Sequence, residues 1–153
     1  MMSLQHAPKG GECNSLLGRF YKGGEFEPFY IPREVMPQID GDDMPELLDF
    51  LKDKGEEVRE CTIDPWLVRA HQRVDARKAK ALVGSGVLSK PCLLSKEPYI
   101  LDGNHRWLGH VIAGSRMPAI KLVNKTFLEG VELLLSFPKA YQYGDGNFHP
   151  VRN

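Results

Sequence analysis

The run Tyr99-Ile-Leu-Asp-Gly-Asn-His-Arg-Trp-Leu-Gly-His110 decides how the rest of the chain is read. A short apolar stretch of strand type stops at Asp102-Gly103, and a polar opening, Asn104-His105-Arg106, leads into a helical pattern that ends at Gly114. A strand running straight into a helix aims backbone donors at an anion, because the first N–H groups of a helix have no partner within it and its dipole is positive there. Gly103 lets the backbone approach closely, Arg106 can grip phosphate oxygens with two prongs, and His105 can donate a hydrogen bond or move a proton. On this reading Arg106 serves the ligand, and its loss should cost little folding stability.

Working outward, the Ser95-Lys96-Glu97-Pro98 break before the run joins it to Pro91–Leu94 as a hairpin. After Gly114, Met117–Val123 reads as another strand, and Thr126-x-x-Glu129 is a capping box that opens a last helix. Upstream, Met44, Leu47, Leu48 and Leu51 fall at helical spacing behind an Asp43 cap with Glu46 as its capping-box partner. Val58–Ile63 reads as a strand, and Asp75 caps a helix stopped at Gly84. Leu47, Leu51, Leu82, Ile100, Leu101, Ile120, Leu122 and Leu134 are the expected core. The order of elements indicates a single α+β domain, a small mixed sheet flanked by helices, over residues 29–138. Residues 1–28 read as a loop-rich arm, and residues 139–153 as a loosely packed tail.

The length, 153 residues with 42% hydrophobic and 26% charged, suits one ordinary core and excludes wholesale disorder. Twenty basic and twenty acidic residues cancel, so any polyanion site must be local. Met1–Gly11 lacks the apolar core of a signal peptide, and no apolar run reaches the roughly 18 residues of a membrane span. The expectation is a cytoplasmic protein with no membrane partner. Cys13, Cys61 and Cys92 form no C-x-x-C pair, and Cys61 and Cys92 read as buried structural thiols. Trp66 and Trp107 read as core anchors.

The run Ile100-Leu-Asp-Gly-Asn-His-Arg-Trp107 resembles the D-G-[HN]-H-R-[WY] signature of the superfamily that holds sulfiredoxin, the N-terminal domain of the partition protein ParB, and a group of free-serine kinases. Val74-Asp-Ala-Arg-Lys78 is similar to the D-x-x-K helix start of sulfiredoxin, and Leu67–Val74 to the extended segment preceding it. Arg33 with Met36-Pro-Gln resembles an opening common in phage and prophage members, which would place the protein in the host cytoplasm. The resemblance spans about residues 30 to 136 and implies a ParB/sulfiredoxin-like fold and a nucleotide (NTP) phosphate site. It places Lys78, His105 and Arg106 on phosphate-contacting positions, puts Gly103 and Asn104 in the same loop, and makes Asp102 the loop carboxylate, able to orient a Mg²⁺ that arrives with ATP or another NTP. His71 and Gln72 fall where the kinases carry His-Glu. Asn104 stands where sulfiredoxin has its catalytic cysteine, which excludes sulfinic-acid reduction. Gln72 cannot act as the general base that a glutamate can.

Charge is segregated: residues 65–90 carry six Lys and Arg against one acid, and residues 40–64 carry ten acids against three bases. Arg69, Arg73, Arg77 and Lys80 thereby become candidate nucleic-acid contacts beside the loop. Two readings stand. One is a nucleotide-binding phosphotransferase or phosphohydrolase, nuclease chemistry included, with Asp102 and His105 as catalytic groups. The other is a non-catalytic module that binds DNA or a partner and keeps the nucleotide site as a regulatory or vestigial one.

Overall fold

A computed structural model describes residues 35–70 and 74–142. The arm at residues 1–28, Arg33, His71, Gln72, Arg73 and the last eleven residues of the tail lie outside these. The elements follow in the order α1 (Met44–Asp53), β1 (Val58–Ile63), α2 (Ala76–Leu82), β2 (Cys92–Leu94), β3 (Ile100–Asp102), α3 (Asn104–Ala113), β4 (Met117–Leu122) and α4 (Phe127–Leu135). This is a small α+β domain whose four-stranded mixed sheet has the order β1-β4-β2-β3. β1 and β4 pair antiparallel, β2 and β4 parallel, and β2 and β3 antiparallel as the expected hairpin.

Alternation along the strands gives each sheet face its own apolar cover. Leu93, Leu101, Ile120 and Leu122 pack with Leu47 and Leu51 of α1 and with Phe127 and Leu134 of α4. Cys92, Leu94, Ile100 and Ala119 point the other way, toward Trp107 of α3. Because side chains alternate, Asp102 shares the face of Ile100, and β3 delivers it to the α3 side. Two glycines permit the close packing this needs. A methyl on Gly130 would sit 2.8 Å from Leu101 Cδ1, and one on Gly109 would sit 3.0 Å from Leu88 Cδ2 and 3.3 Å from the Ala79 carbonyl, where α2 crosses α3.

Seven of the eight expected core residues are buried, while Leu82 is only half-buried because α2 ends at the protein surface. The Thr126–Glu129 capping box forms, with both reciprocal bonds present. The one expected at Asp43 does not, because a 3₁₀ turn at Gly41–Asp43 gives Asp43 a helical backbone, and Asp43 and Glu46 both turn toward Lys139. The chain after Pro138 also folds back: Ala140 and Tyr141 are buried, and Tyr141 pairs with Gln38 as a β-bridge, so loose packing does not describe the start of the tail. Trp107 is a core anchor whose Nε1 donates to the Pro65 carbonyl at 2.7 Å. Trp66, in the 3₁₀ turn Pro65–Leu67, is 42% exposed and anchors no core. Cys92 is a free buried thiol, but Cys61 is disulfide-bonded, which corrects the expectation of two free thiols.

At the far end of α3, His110 is buried and bridges two loops. Its Nε2 lies 3.0 Å from the Leu88 carbonyl and must carry the proton, so its Nδ1 accepts from the Ser115 hydroxyl at 2.9 Å. Burial holds its pKa below the ordinary 6.5, against the opposing pull of the Leu88 carbonyl. The unfolded chain therefore takes up this proton first as pH falls. The stability tied to neutral His110 is complete above 6.5 and declines as pH drops through that value toward the depressed one. Thermal melts between pH 7 and pH 5 should show Tm falling on acidification, with a shallower slope in His110→Gln. Equal slopes would remove His110 as the responsible group.

Candidate phosphate-binding cleft

The β3–α3 junction opens into a cleft of about 220 Å³ lined by Asp102, Gly103, Asn104, His105 and Arg106 from the junction itself. Gln38, Ile39, Asp40 and Tyr141, with Leu82, Val87 and Lys90, complete the lining. Gly103 makes the junction possible. Its φ of +111° is a left-handed conformation that side chains resist, and a methyl there would lie 2.6 Å from Cys92 Sγ and 2.7 Å from Arg106 Nη2. Gly103, at the N-cap of α3, has no side chain with which to cap the helix.

Three buried polar atoms in this cleft have no hydrogen-bond partner: Asp102 Oδ2, Asn104 Oδ1 and Arg106 Nε. Their residues are 5%, 6% and 9% exposed. Buried polar atoms are nearly always paired, so three unsatisfied ones within five residues, at the end of β3 and in the first turn of α3, call for an explanation. Arg106 is held through one nitrogen: Nη2 donates to the Pro91 carbonyl at 3.3 Å and lies 3.6 Å from Asp102 Oδ2. That distance makes an ion pair without a good hydrogen bond. Because Arg106 faces a buried carboxylate, its loss is expected to cost folding stability as well as ligand affinity.

His105 is placed differently from the proton carrier expected of it. Its Nε2 accepts the backbone N–H of Asp75 at 3.1 Å, which fixes the neutral ring's proton on Nδ1 and ties the start of α3 to the start of α2. Asp75 in turn caps α2 by accepting from the N–H groups of Arg77 at 2.9 Å and Lys78 at 3.4 Å. These bonds, the Arg77 one foremost, hold its carboxyl below the usual range. The two helix starts thus lie side by side. Cys92 sits beneath Gly103 with its thiol directed at the Gly103 carbonyl at 3.5 Å, and burial pushes its pKa up, so it fills space and does not act as a nucleophile.

The cleft brings together Asp102 through Arg106 but does not gather every residue the sequence singled out. Lys78, Arg77 and Lys80 are exposed on α2 and do not line it. Arg69 lies at the other end of the hairpin, where its Nη1 donates to the Tyr99 hydroxyl at 3.0 Å and its guanidinium stacks 5.6 Å from the Tyr99 ring centroid. Lys90, Asp40, Gln38 and Tyr141 are cleft residues that sequence reasoning passed over. In the sequence Lys90 is only one charge of the basic stretch, and Tyr141 stands in a tail without period. Among the described residues no group of three or more His, Cys, Asp or Glu side chains is arranged to hold a metal ion, and no helix is long and apolar enough to cross a membrane. No family model, curated protein or solved structure matches the chain.

Proposed function

We infer that the cleft at the start of α3 binds the phosphate end of a nucleotide. The observation that carries this reading is the convergence of three unpartnered buried polar atoms on an uncapped helix start, with a glycine keeping the backbone open to the ligand. Arg106 and the first-turn N–H groups supply donors, and Lys90 adds a cation. Asp102 Oδ2 and Asn104 Oδ1 are oxygen donors of the kind that Mg²⁺ prefers, so a Mg²⁺ carried by the nucleotide would offset the repulsion between Asp102 and phosphate. A cleft of 220 Å³ is below the roughly 300 to 1,000 Å³ that encloses a whole drug-sized ligand, so the phosphate end enters and the rest lies over the rim. The resemblance of residues 100–107 to the ParB/sulfiredoxin superfamily supports the same ligand and a ParB/sulfiredoxin-like fold.

If phosphoryl transfer or phosphate-ester hydrolysis follows binding, Asp102 is the loop carboxylate able to take a proton or orient Mg²⁺. The commitment of His105 Nε2 to Asp75 favours the second reading, a binding module whose nucleotide is regulatory and whose exposed Arg77 and Lys80 meet nucleic acid. Melting the protein with Mg²⁺ and ATP, CTP, GTP or ADP tests the binding claim: at a hundred times Kd the ligand should add about 2.7 kcal/mol of stability. No shift with any of them would count against it. Phosphate release then separates the two readings. An enzyme loses turnover in Asp102→Asn while still binding nucleotide, and Gln72→Glu should raise turnover in a weakened kinase. Equal background release in all three proteins leaves the binding module.

A further inference from the structure

Lys78 is the lysine that the resemblance assigns to phosphate, yet it stands exposed on α2, outside the cleft. Lys90 lines the cleft. Its Nζ donates to the Ile39 carbonyl at 2.8 Å, which uses one of the three donors of an ammonium. Its stem runs so close to Gly41 that a methyl built there would lie 3.4 Å from Lys90 Cδ. The side chain is therefore half-buried and fixed in place before any ligand arrives, so little rotamer freedom remains to be lost on binding. The next residue, Pro91, gives its carbonyl to Arg106 Nη2, so one short stretch of backbone sets both cations of the cleft.

The charges around Lys90 are mixed, two carboxylates and one guanidinium. Asp102 and Asp40 favour its ammonium, whereas burial and Arg106 oppose it, and burial prevails in holding its pKa below the ordinary value. A phosphoryl group entering between Lys90, Arg106 and the α3 start would relieve that opposition. Resting on the reading of the cleft as a phosphate site, we propose that Lys90 is the lysine that meets the ligand's phosphoryl oxygens, in place of Lys78. The ligand class this selects is a terminal phosphate group, since Lys90 and Arg106 line one small cleft that the exposed Arg77, Lys78 and Lys80 do not line.

Pyridoxal 5′-phosphate, an aldehyde carrying a phosphate group, tests this on the unmodified protein. Its imine with a lysine is fixed by borohydride and located by peptide mass spectrometry. Lys90 should be the lysine labelled first, and Mg²⁺-ATP or millimolar inorganic phosphate should protect it, while labelling of Lys78 should be unaffected by either. In parallel, Lys90→Met should weaken Mg²⁺-nucleotide affinity about 10–100-fold and Lys78→Met less than about twofold, the range expected for losing or keeping one charge-assisted hydrogen bond. Protection of Lys78 without Lys90, or unchanged affinity in Lys90→Met, overturns the proposal and leaves the phosphate site standing. If neither nucleotide nor phosphate binds or protects any lysine, the phosphate site itself falls and the proposal with it.

Discussion

Arg106→Ala is expected to lower the unfolding free energy by about 3–5 kcal/mol, the loss that follows when one partner of a buried ion pair is removed and the other stays behind. The partner left behind is Asp102, 5% exposed, whose Oδ2 has no hydrogen bond to compensate for the missing guanidinium 3.6 Å away. The Pro91 carbonyl would lose its donor as well. Denaturant titration measures this directly, and Arg106→Ala combined with Asp102→Leu sharpens it. Removing both charges should recover much of the loss, because the penalty comes from the orphaned carboxylate and not from a strong attraction in the native pair. A single variant within about 0.5 kcal/mol of wild type would mean that water reaches Asp102 and that the junction is more open than its burial indicates.

Gly103→Ala should cost about 2–5 kcal/mol, summing the strain of a side chain at φ +111° with the overpacking of a methyl 2.6 Å from Cys92 Sγ. The two contributions can be separated. Cys92→Ala in the same chain removes the sulfur that the new methyl meets, so the double variant should lose less than the sum of the two singles, with the backbone strain remaining. Strict additivity would show that the sulfur yields without resistance. Ligand affinity should fall with Gly103→Ala whatever the stability does, because the methyl also lies 2.7 Å from Arg106 Nη2 in the cleft.

The elements that sequence made legible are those whose signals are local. The Thr126–Glu129 box, the Asp75 cap and the Asp102-Gly103 strand-to-helix turn each depend on residues within a few positions of one another, and each forms as read. Asp43 had the same local signal, but a preceding 3₁₀ turn and Lys139, far along the chain, took its side chain elsewhere. The loop half of the cleft was legible for the same reason. The other half was not: Lys90 reaches it through a bond to the Ile39 carbonyl far back in the chain, and Tyr141 because the chain after Pro138 returns to pair with Gln38, where the Tyr141 hydroxyl donates to Asp40 Oδ1 at 2.9 Å. No periodicity records a pairing across that separation. Lys78 illustrates the converse, a local motif that reads correctly as a helix start but whose side chain projects from an exposed position on α2.

The unsatisfied amide oxygen of Asn104 makes one measurement decisive, because a ligand in the cleft that uses it must lose affinity when it is removed. Asn104→Leu replaces the unpartnered Oδ1 with a side chain of similar size, so folding should be unaffected or slightly strengthened. Calorimetric titration of wild type and Asn104→Leu with Mg²⁺ and each of ATP, CTP, GTP and ADP should give saturable binding to at least one nucleotide in wild type. In the variant that affinity should drop at least about tenfold, the order of loss when a group supporting a bound Mg²⁺ is removed, with Tm no lower than wild type. Absence of saturable binding in wild type, or equal affinity in the two proteins, would contradict the assignment of this cleft to nucleotide phosphate.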